Sequence, residues 1–198
     1  MKNNLKDLYK GSFFSKRDRL MWRVPYICNA MMKVFHPKTF IDVGCGIADY
    51  VEGMQLLGVD AYGIEGSENC KPYLQVPSEL VFIQDLREPL CGDVKNVKYD
   101  LVLCLEVAEH IEEDFVEVFL DNLCGLSDKV VMSFAPPGQE GHGHFNCQEA
   151  PYWIGKMAAR GYIFDMETAN EIKSFWEDVR NKREIRSYYD HLLYFKEC

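Results

Sequence analysis

Short apolar runs and longer amphipathic stretches alternate along most of this chain. The runs at Thr39–Val43, Ala61–Ile64, Leu80–Gln84, Asp100–Leu105, Lys129–Ala135, Tyr162–Met166 and Leu192–Lys196 have the length and composition of buried strands. Between them, apolar residues three and four apart predict helices. One is expected over residues 16–35, with Leu20, Val24, Ile27 and Met31 on its apolar side. Pro25 lies inside it, where the missing N–H disfavours an unbroken helix. Others are expected at Ala48–Leu57, Ser67–Leu74, Val107–Leu123 and Ala150–Arg160, with a helical insertion over about 169–187 before the last strand. Strands alternating with helices of this size imply an α/β fold with a mostly parallel sheet covered on both faces. Ligands of such sheets bind beyond the C-terminal ends of the strands, so the residues that follow each strand carry the functional information.

Composition narrows the class. The chain has 198 residues, 47% hydrophobic and 27% charged, which suits one globular unit rather than a disordered chain. We expect a helical cap over residues 1–38 and a main domain over 39–198. No apolar run approaches the roughly 20 residues that cross a bilayer. The polar start Met1–Lys6 lacks the apolar core of a signal peptide, so no membrane role and a cytoplasmic location are expected. The eight cysteines are scattered and form no C-x-x-C pair, which argues for reduced, mostly buried thiols. Charge is uneven. Residues 1–38 carry a net +7 and the remainder −16. A basic segment on an acidic body either faces an anionic substrate or forms a solvated helical face. The acidic body argues against broad nucleic-acid binding.

The first strand runs into Asp42-Val43-Gly44-Cys45-Gly46-Ile47-Ala48. Glycines at 44 and 46 let the backbone turn and approach a ligand. Glu65 ends the second strand, 23 residues after Asp42, where a carboxylate can accept two ribose hydroxyls. Asp85 ends the third, in register for an adenine amino group. A dinucleotide site would need Gly or Ala at position 49. Asp49 stands there instead, and its carboxylate would repel a pyrophosphate at the helix N-terminus. The Asp42-x-Gly44-x-Gly46-x-Ala48 pattern resembles the first motif of class I S-adenosylmethionine (SAM)-dependent methyltransferases, with Ala48 in place of the usual third glycine. The resemblance covers about residues 36–168. It implies a Rossmann-like seven-stranded sheet whose last strand is antiparallel, and SAM as cofactor. It also implies that Asp42, Gly44, Cys45 and Gly46 hold the methionine end, Glu65 the ribose, and Asp85 with Leu86 the adenine. Cys104 and Leu105 would then border the transfer zone.

The fourth strand leads into Glu106-Val107-Ala108-Glu109-His110. On the expected helix, Glu106, Glu109 and His110 share one face at i, i+3 and i+4. The loop after the fifth strand brings His142 and His144 to the same sheet edge. Methyl transfer to a hydroxyl needs a proton removed from a poor nucleophile, and a metal or a histidine base supplies that. Glu109, His110 and His144 are therefore the catalytic candidates. Glu106, Glu109, His110 and His144 are the candidates for Mg2+, Mn2+ or Zn2+. Both roles stand beside a purely structural one. The E-x-x-E-H segment with a downstream His144-Phe145 resembles ubiquinone-biosynthesis O-methyltransferases and small-RNA 3′-terminal 2′-O-methyltransferases. The leading expectation is O-methylation of a small hydroxylated metabolite. RNA 3′-end methylation is an alternative, and so is a non-catalytic SAM-binding subunit or sensor.

Overall fold

The computed structural model describes residues 2–198, with the side chains of all of them except Asp18, Arg19 and Glu184. Met1, where the expected cap begins, lies outside the described residues. Seven strands form one sheet: β1 (Thr39–Val43), β2 (Asp60–Glu65), β3 (Val81–Ile83), β4 (Leu101–Cys104), β5 (Lys129–Met132), β6 (Tyr162–Phe164) and β7 (Leu193–Glu197). Their spatial order is β3-β2-β1-β4-β5-β7-β6. The first five are mutually parallel. β7 runs antiparallel to β5 on one side and to β6 on the other. The sheet is thus Rossmann-like, mostly parallel and antiparallel at its last strand, as the residue pattern and the resemblance implied.

Strand periodicity divides the core into two layers. Phe40, Leu101, Leu103 and Val131 point to one face, where they meet Ile27, Met31, Val51, Met54 and Ile172. These come from α3 (Val24–Phe35), α4 (Asp49–Leu56) and α7 (Met166–Ser174). Ile41, Val43, Val102, Cys104 and Val130 point to the other face, against Phe119, Leu123, Trp153 and Met157. Those belong to α5 (Val116–Leu126) and α6 (Ala150–Ala158). Burying a large apolar side chain contributes about 1.5–3 kcal/mol, so this two-sided core carries the fold.

The N-terminal region departs from the expected single helix. Two one-turn helices, α1 (Leu5–Leu8) and α2 (Gly11–Phe14), precede a tight helical stretch at Arg17–Arg23, and α3 starts at Val24. Pro25 falls in the first turn of α3, where its missing N–H costs no helical bond, so it starts the helix rather than interrupting one. The expected insertion is α7, a short turn at Glu177–Val179, and α8 (Arg183–His191). Four of the eight free cysteines, Cys28, Cys45, Cys70 and Cys104, are fully buried. Among the described residues, no helix is long and apolar enough to cross a membrane.

The helix expected over Val107–Leu123 is the clearest correction. Residues 108–110 and 113–115 form two separate short turns, and the α-helix begins only at Val116. The cause is non-local. The carbonyl of Glu109, which a helix would spend on the N–H of residue 113, accepts instead from Phe145 N (2.9 Å) and Asn146 N (3.0 Å) of the β5–α6 loop. Tertiary hydrogen bonds override local propensity here.

Asn122 of α5 holds the β3–β4 connection that borders the site. Its amide accepts from Leu90 N (3.1 Å) and donates to the carbonyls of Leu86 (3.1 Å) and Glu88 (2.9 Å). Replacing Asn122 with Leu strands these groups, and each buried unpaired one costs about 1–3 kcal/mol. We therefore expect Asn122→Leu to lower unfolding free energy by at least that amount in urea titration. An unchanged midpoint would contradict this tether.

Candidate active site

The turn after β1 is built around positive backbone angles. Gly44 has φ 79° and Gly46 φ 61°, and Ala48, at the start of α4, has φ 62°. A Cβ on Gly44 would lie 2.3 Å from Val107 Cγ2, so this position admits only glycine for packing as well as for φ. Ala48, where the motif usually has glycine, adopts the left-handed region at a cost of about 1–2 kcal/mol. The carboxylate of Glu65 fixes this turn. Its Oε2 accepts from Gly46 N (3.0 Å) and its Oε1 from Ser67 N (2.9 Å). Burial raises the Glu65 pKa, and these backbone bonds oppose the rise. Asp42 is 3% exposed, and its Oδ2 has no hydrogen-bond partner. Burial, then the nearby Asp49 charge, hold its pKa well above the usual range.

A cavity of ≈ 460 Å³ opens at the C-terminal edge of the sheet. Gly44, Gly46, Glu65, Asp85, Leu86, Leu105, Glu106 and His110 line it, so most of the predicted residues share one wall. Asp42, Cys45, Cys104, Glu109 and His144 do not line it. Cys45 is buried against Gly63, where a Cβ would lie 2.7 Å from its Sγ. Asp85 is already engaged. Its two oxygens accept from Arg87 Nε and Nη2 at 2.9 Å each, and Lys2 Nζ lies 3.1 Å away. Burial alone would raise the Asp85 pKa, but the Arg87 and Lys2 hydrogen bonds hold it below the usual range.

From residue type alone, Tyr9, Phe13, Phe14, Arg17, Arg19 and Trp22 of the N-terminal arm suit either a cap on an acceptor pocket or a helix packed on the domain, with packing the simpler expectation. Leu5, Tyr9, Phe13 and Arg17 all line this cavity. Their spacing of four is a signal that was available in the sequence. Polar groups from three loops strap the arm down. Asn69 Nδ2 donates to the carbonyls of Lys6 and Tyr9 (2.9 Å each), and Arg87 Nη2 to that of Asn3 (2.8 Å). His142 Nε2 donates to that of Leu8 (2.8 Å). His142 therefore serves the arm, and the neighbouring histidine takes a different role.

Beside the cavity, ligand atoms of Glu109, His110 and His144 lie within 4.8 Å of one another. Each imidazole Nε2 is 3.9 Å from Glu109 Oε1. His110 Nδ1 donates to the Gly143 carbonyl (2.9 Å) and His144 Nδ1 to the Gln139 carbonyl (3.0 Å). A carbonyl can only accept, so these bonds put the proton on Nδ1 and leave Nε2 lone pairs facing the carboxylate. Glu109 is fully buried, and neither of its oxygens has a hydrogen-bond partner. Burial, then the Glu106 charge, raise its pKa well above the usual range. Burial lowers that of His110 to about 4.

Glu106 lies near this trio but points elsewhere. Its backbone is left-handed (φ 55°), and its Oε1 accepts from Ser133 Oγ at 2.8 Å. The expectation that Glu106, Glu109 and His110 share a helical face is therefore corrected. A strained residue followed by one short turn aims Glu109 and His110 at His144 and turns Glu106 toward β5 and the cavity.

Comparison with known proteins agrees with this geometry. The chain matches a methyltransferase-domain family over residues 22–178. No curated protein sequence matches it. Its fold is similar to that of magnesium protoporphyrin IX methyltransferase from Synechocystis PCC 6803 with bound SAH (TM-score 0.60, 17% identity, covering 100% of this chain and 89% of that one). It is also similar to the sugar N-methyltransferase KedS8 from Streptoalloteichus (TM-score 0.62, 14% identity, 88% and 86% covered). A third similar fold is the methyltransferase domain of bacterial CtHen1-C (TM-score 0.60, 18% identity, 90% and 98% covered). At these identities the likeness speaks for the fold, while the family match spans most of the chain. A glycine turn pinned by Glu65, a cavity at the strand ends and this family match together place the chain in the methyltransferase-domain family.

Proposed function

We propose that this protein transfers a methyl group from SAM to a hydroxyl of a small metabolite, with a divalent metal held by Glu109, His110 and His144. The observation that carries the reading is the convergence of two imidazole lone pairs on a buried, unpartnered carboxylate just behind the cavity, which His110 of the trio also lines. Such a trio lacks a compensating positive charge, and a divalent cation supplies one. The second groups on both imidazoles, the Gly143 and Gln139 carbonyls, orient them as ligand-orienting partners do. Two imidazoles favour Zn2+ or Mn2+ over Mg2+. When bound, the metal lowers the pKa of an acceptor hydroxyl.

The remaining roles belong to the chain. Glu65 keeps lone pairs for ribose hydroxyls after accepting from Gly46 and Ser67. Gly44 and Gly46 let the backbone approach the methionine end. Asp42, buried behind this turn and off the cavity wall, adds negative charge beneath it, and Arg17, against Gly46, faces the cofactor's carboxylate. Asp85 is held by Arg87, which leaves it outward-facing acceptor capacity for adenine beside Leu86. The arm residues Leu5 and Tyr9 exclude water from this pocket. The sulfonium methyl passes to the acceptor oxygen, S-adenosylhomocysteine departs as the product, and the acceptor's proton leaves to solvent or to a base at the cluster.

A second reading, methylation of an RNA 3′-terminal 2′-hydroxyl, draws support from the E-x-x-E-H segment with His144 and from the basic cap. Binding to RNA with a steep salt dependence would favour it.

Isothermal titration tests the cofactor assignment. Glu65→Ala should weaken S-adenosylhomocysteine binding by roughly 10–100-fold, the worth of charge-assisted hydrogen bonds. An unchanged affinity would remove Glu65 from the ribose. Titration with Mn2+ tests the metal. Wild-type protein should bind about one ion per chain, and His144→Ala should abolish that binding while changing cofactor affinity less than about threefold. Activity that survives complete chelation in a metal-free sample would defeat the metal assignment.

A further inference from the structure

Arg23 lines the same cavity as Glu65 and Asp85, and part of its hydrogen-bonding capacity is unused. It is 3% exposed, and its Nε and Nη2 have no acceptor. Its Nη1 donates to the Tyr188 hydroxyl. Among the described residues its ion pair is with Asp49, whose Oδ2 lies 3.6 Å from Nη2; Asp42 and Glu106 also face its charge, and the rings of Tyr50 and Tyr188 lie against it. These groups offset charge without giving Nε or Nη2 a hydrogen-bond acceptor. Buried donors without acceptors are costly, and a guanidinium is built to take a two-oxygen anion. Arg183 and Ser187, on the same helix as Tyr188, also line this cavity.

The surroundings favour an anion here. Arg17 lies against Gly46, where the cofactor's own carboxylate belongs, so Arg23 and Arg183 remain to be matched. A second cavity of ≈ 530 Å³ adjoins the first and shares Phe13, Arg17 and Leu20 with it. Lys10 and Lys16 line this outer space. The basic cap therefore presents its cations along a route into the pocket rather than on an unrelated face.

We propose that the methyl acceptor carries a carboxylate or phosphate group, which docks on Arg23 and Arg183 beside Tyr188 after passing the Lys10–Lys16 cavity. The acceptor is thereby a small anionic hydroxyl compound. The anchored group orients its hydroxyl toward Glu106 and His110, which line the same cavity. This inference rests on the methyltransferase reading given above. A small molecule is favoured over RNA because the arm roofs the inner cavity, and because the chain outside the cap carries a net −16 that repels a polyanion.

The test uses the full chain saturated with S-adenosylhomocysteine, so that the cofactor's carboxylate is already in place. Inorganic phosphate and malonate are titrated separately by calorimetry. Both should bind to the saturated protein. Arg183→Gln, at an exposed position, should weaken them at least tenfold, and Arg23→Lys should weaken them while the protein stays folded. Lys95→Gln, away from the cavity, should leave them unchanged. Anions that bind only the cofactor-free protein and compete with S-adenosylhomocysteine would assign these arginines to the cofactor and overturn the proposal. No anion binding to the saturated protein, or binding insensitive to Arg183→Gln, would also overturn it. So would a short single-stranded RNA that binds at least a hundredfold tighter than phosphate and depends on Lys10 and Lys16. Failure of S-adenosylhomocysteine itself to bind would instead refute the methyltransferase reading, before any anion is added.

Discussion

The carboxylate of Glu65 joins the two parts of the backbone that define the pocket. One oxygen accepts from Gly46 in the turn after β1, and the other from Ser67 after β2. The turn itself needs positive φ at Gly44, Gly46 and Ala48, and backbone of that kind does not hold its shape without an anchor. Glu65 supplies the anchor from a neighbouring parallel strand, so the geometry of the sheet sets the geometry of the ligand turn. Positions farther out follow from it. Val107 packs over Gly44, Arg17 over Gly46, and the arm carbonyls of Lys6 and Tyr9 reach Asn69 just past Ser67.

The strand core was legible because a buried parallel strand reads as an unbroken apolar run. Thr39–Val43 is read from residue pattern and observed with the same limits. The acids at 65 and 85 were legible for the same reason, since register places them at strand ends. The stretch 107–115 was not legible. Its residues suit a helix, and only hydrogen bonds from Phe145 and Asn146, far along the chain, break it into turns. The same long-range bonds shape the candidate cluster. They bring the loop of His144 to Glu109, and residue spacing on an assumed helix could not show that the trio would exclude Glu106. Arg23 was missed as a functional candidate because its partners, Asp49 and Tyr188, lie on α4 and α8, and the meaning of its unmet donors depends on that burial.

The arm links the two halves of the site. Asn69 and Arg87, on the side of Glu65 and Asp85, bind its backbone, and His142, from the loop that also carries His144, binds the carbonyl of Leu8. The ring of Tyr9 stands edge-on to that of His110 at 5.9 Å between centroids. The arm and the histidine loop thus pack directly against each other. The ends of β1, β2, β3 and β4 contribute a rigid edge, while short turns and an N-terminal strap complete the lining of the cavity.

The most direct test is a crystal structure of the protein grown with S-adenosylhomocysteine. The account predicts density in the cavity beneath Leu5 and Tyr9, with both ribose hydroxyls on Glu65 and the homocysteine sulfur pointing toward Glu106. Density for the compound anywhere else, or a ribose that makes no contact with Glu65, would contradict it.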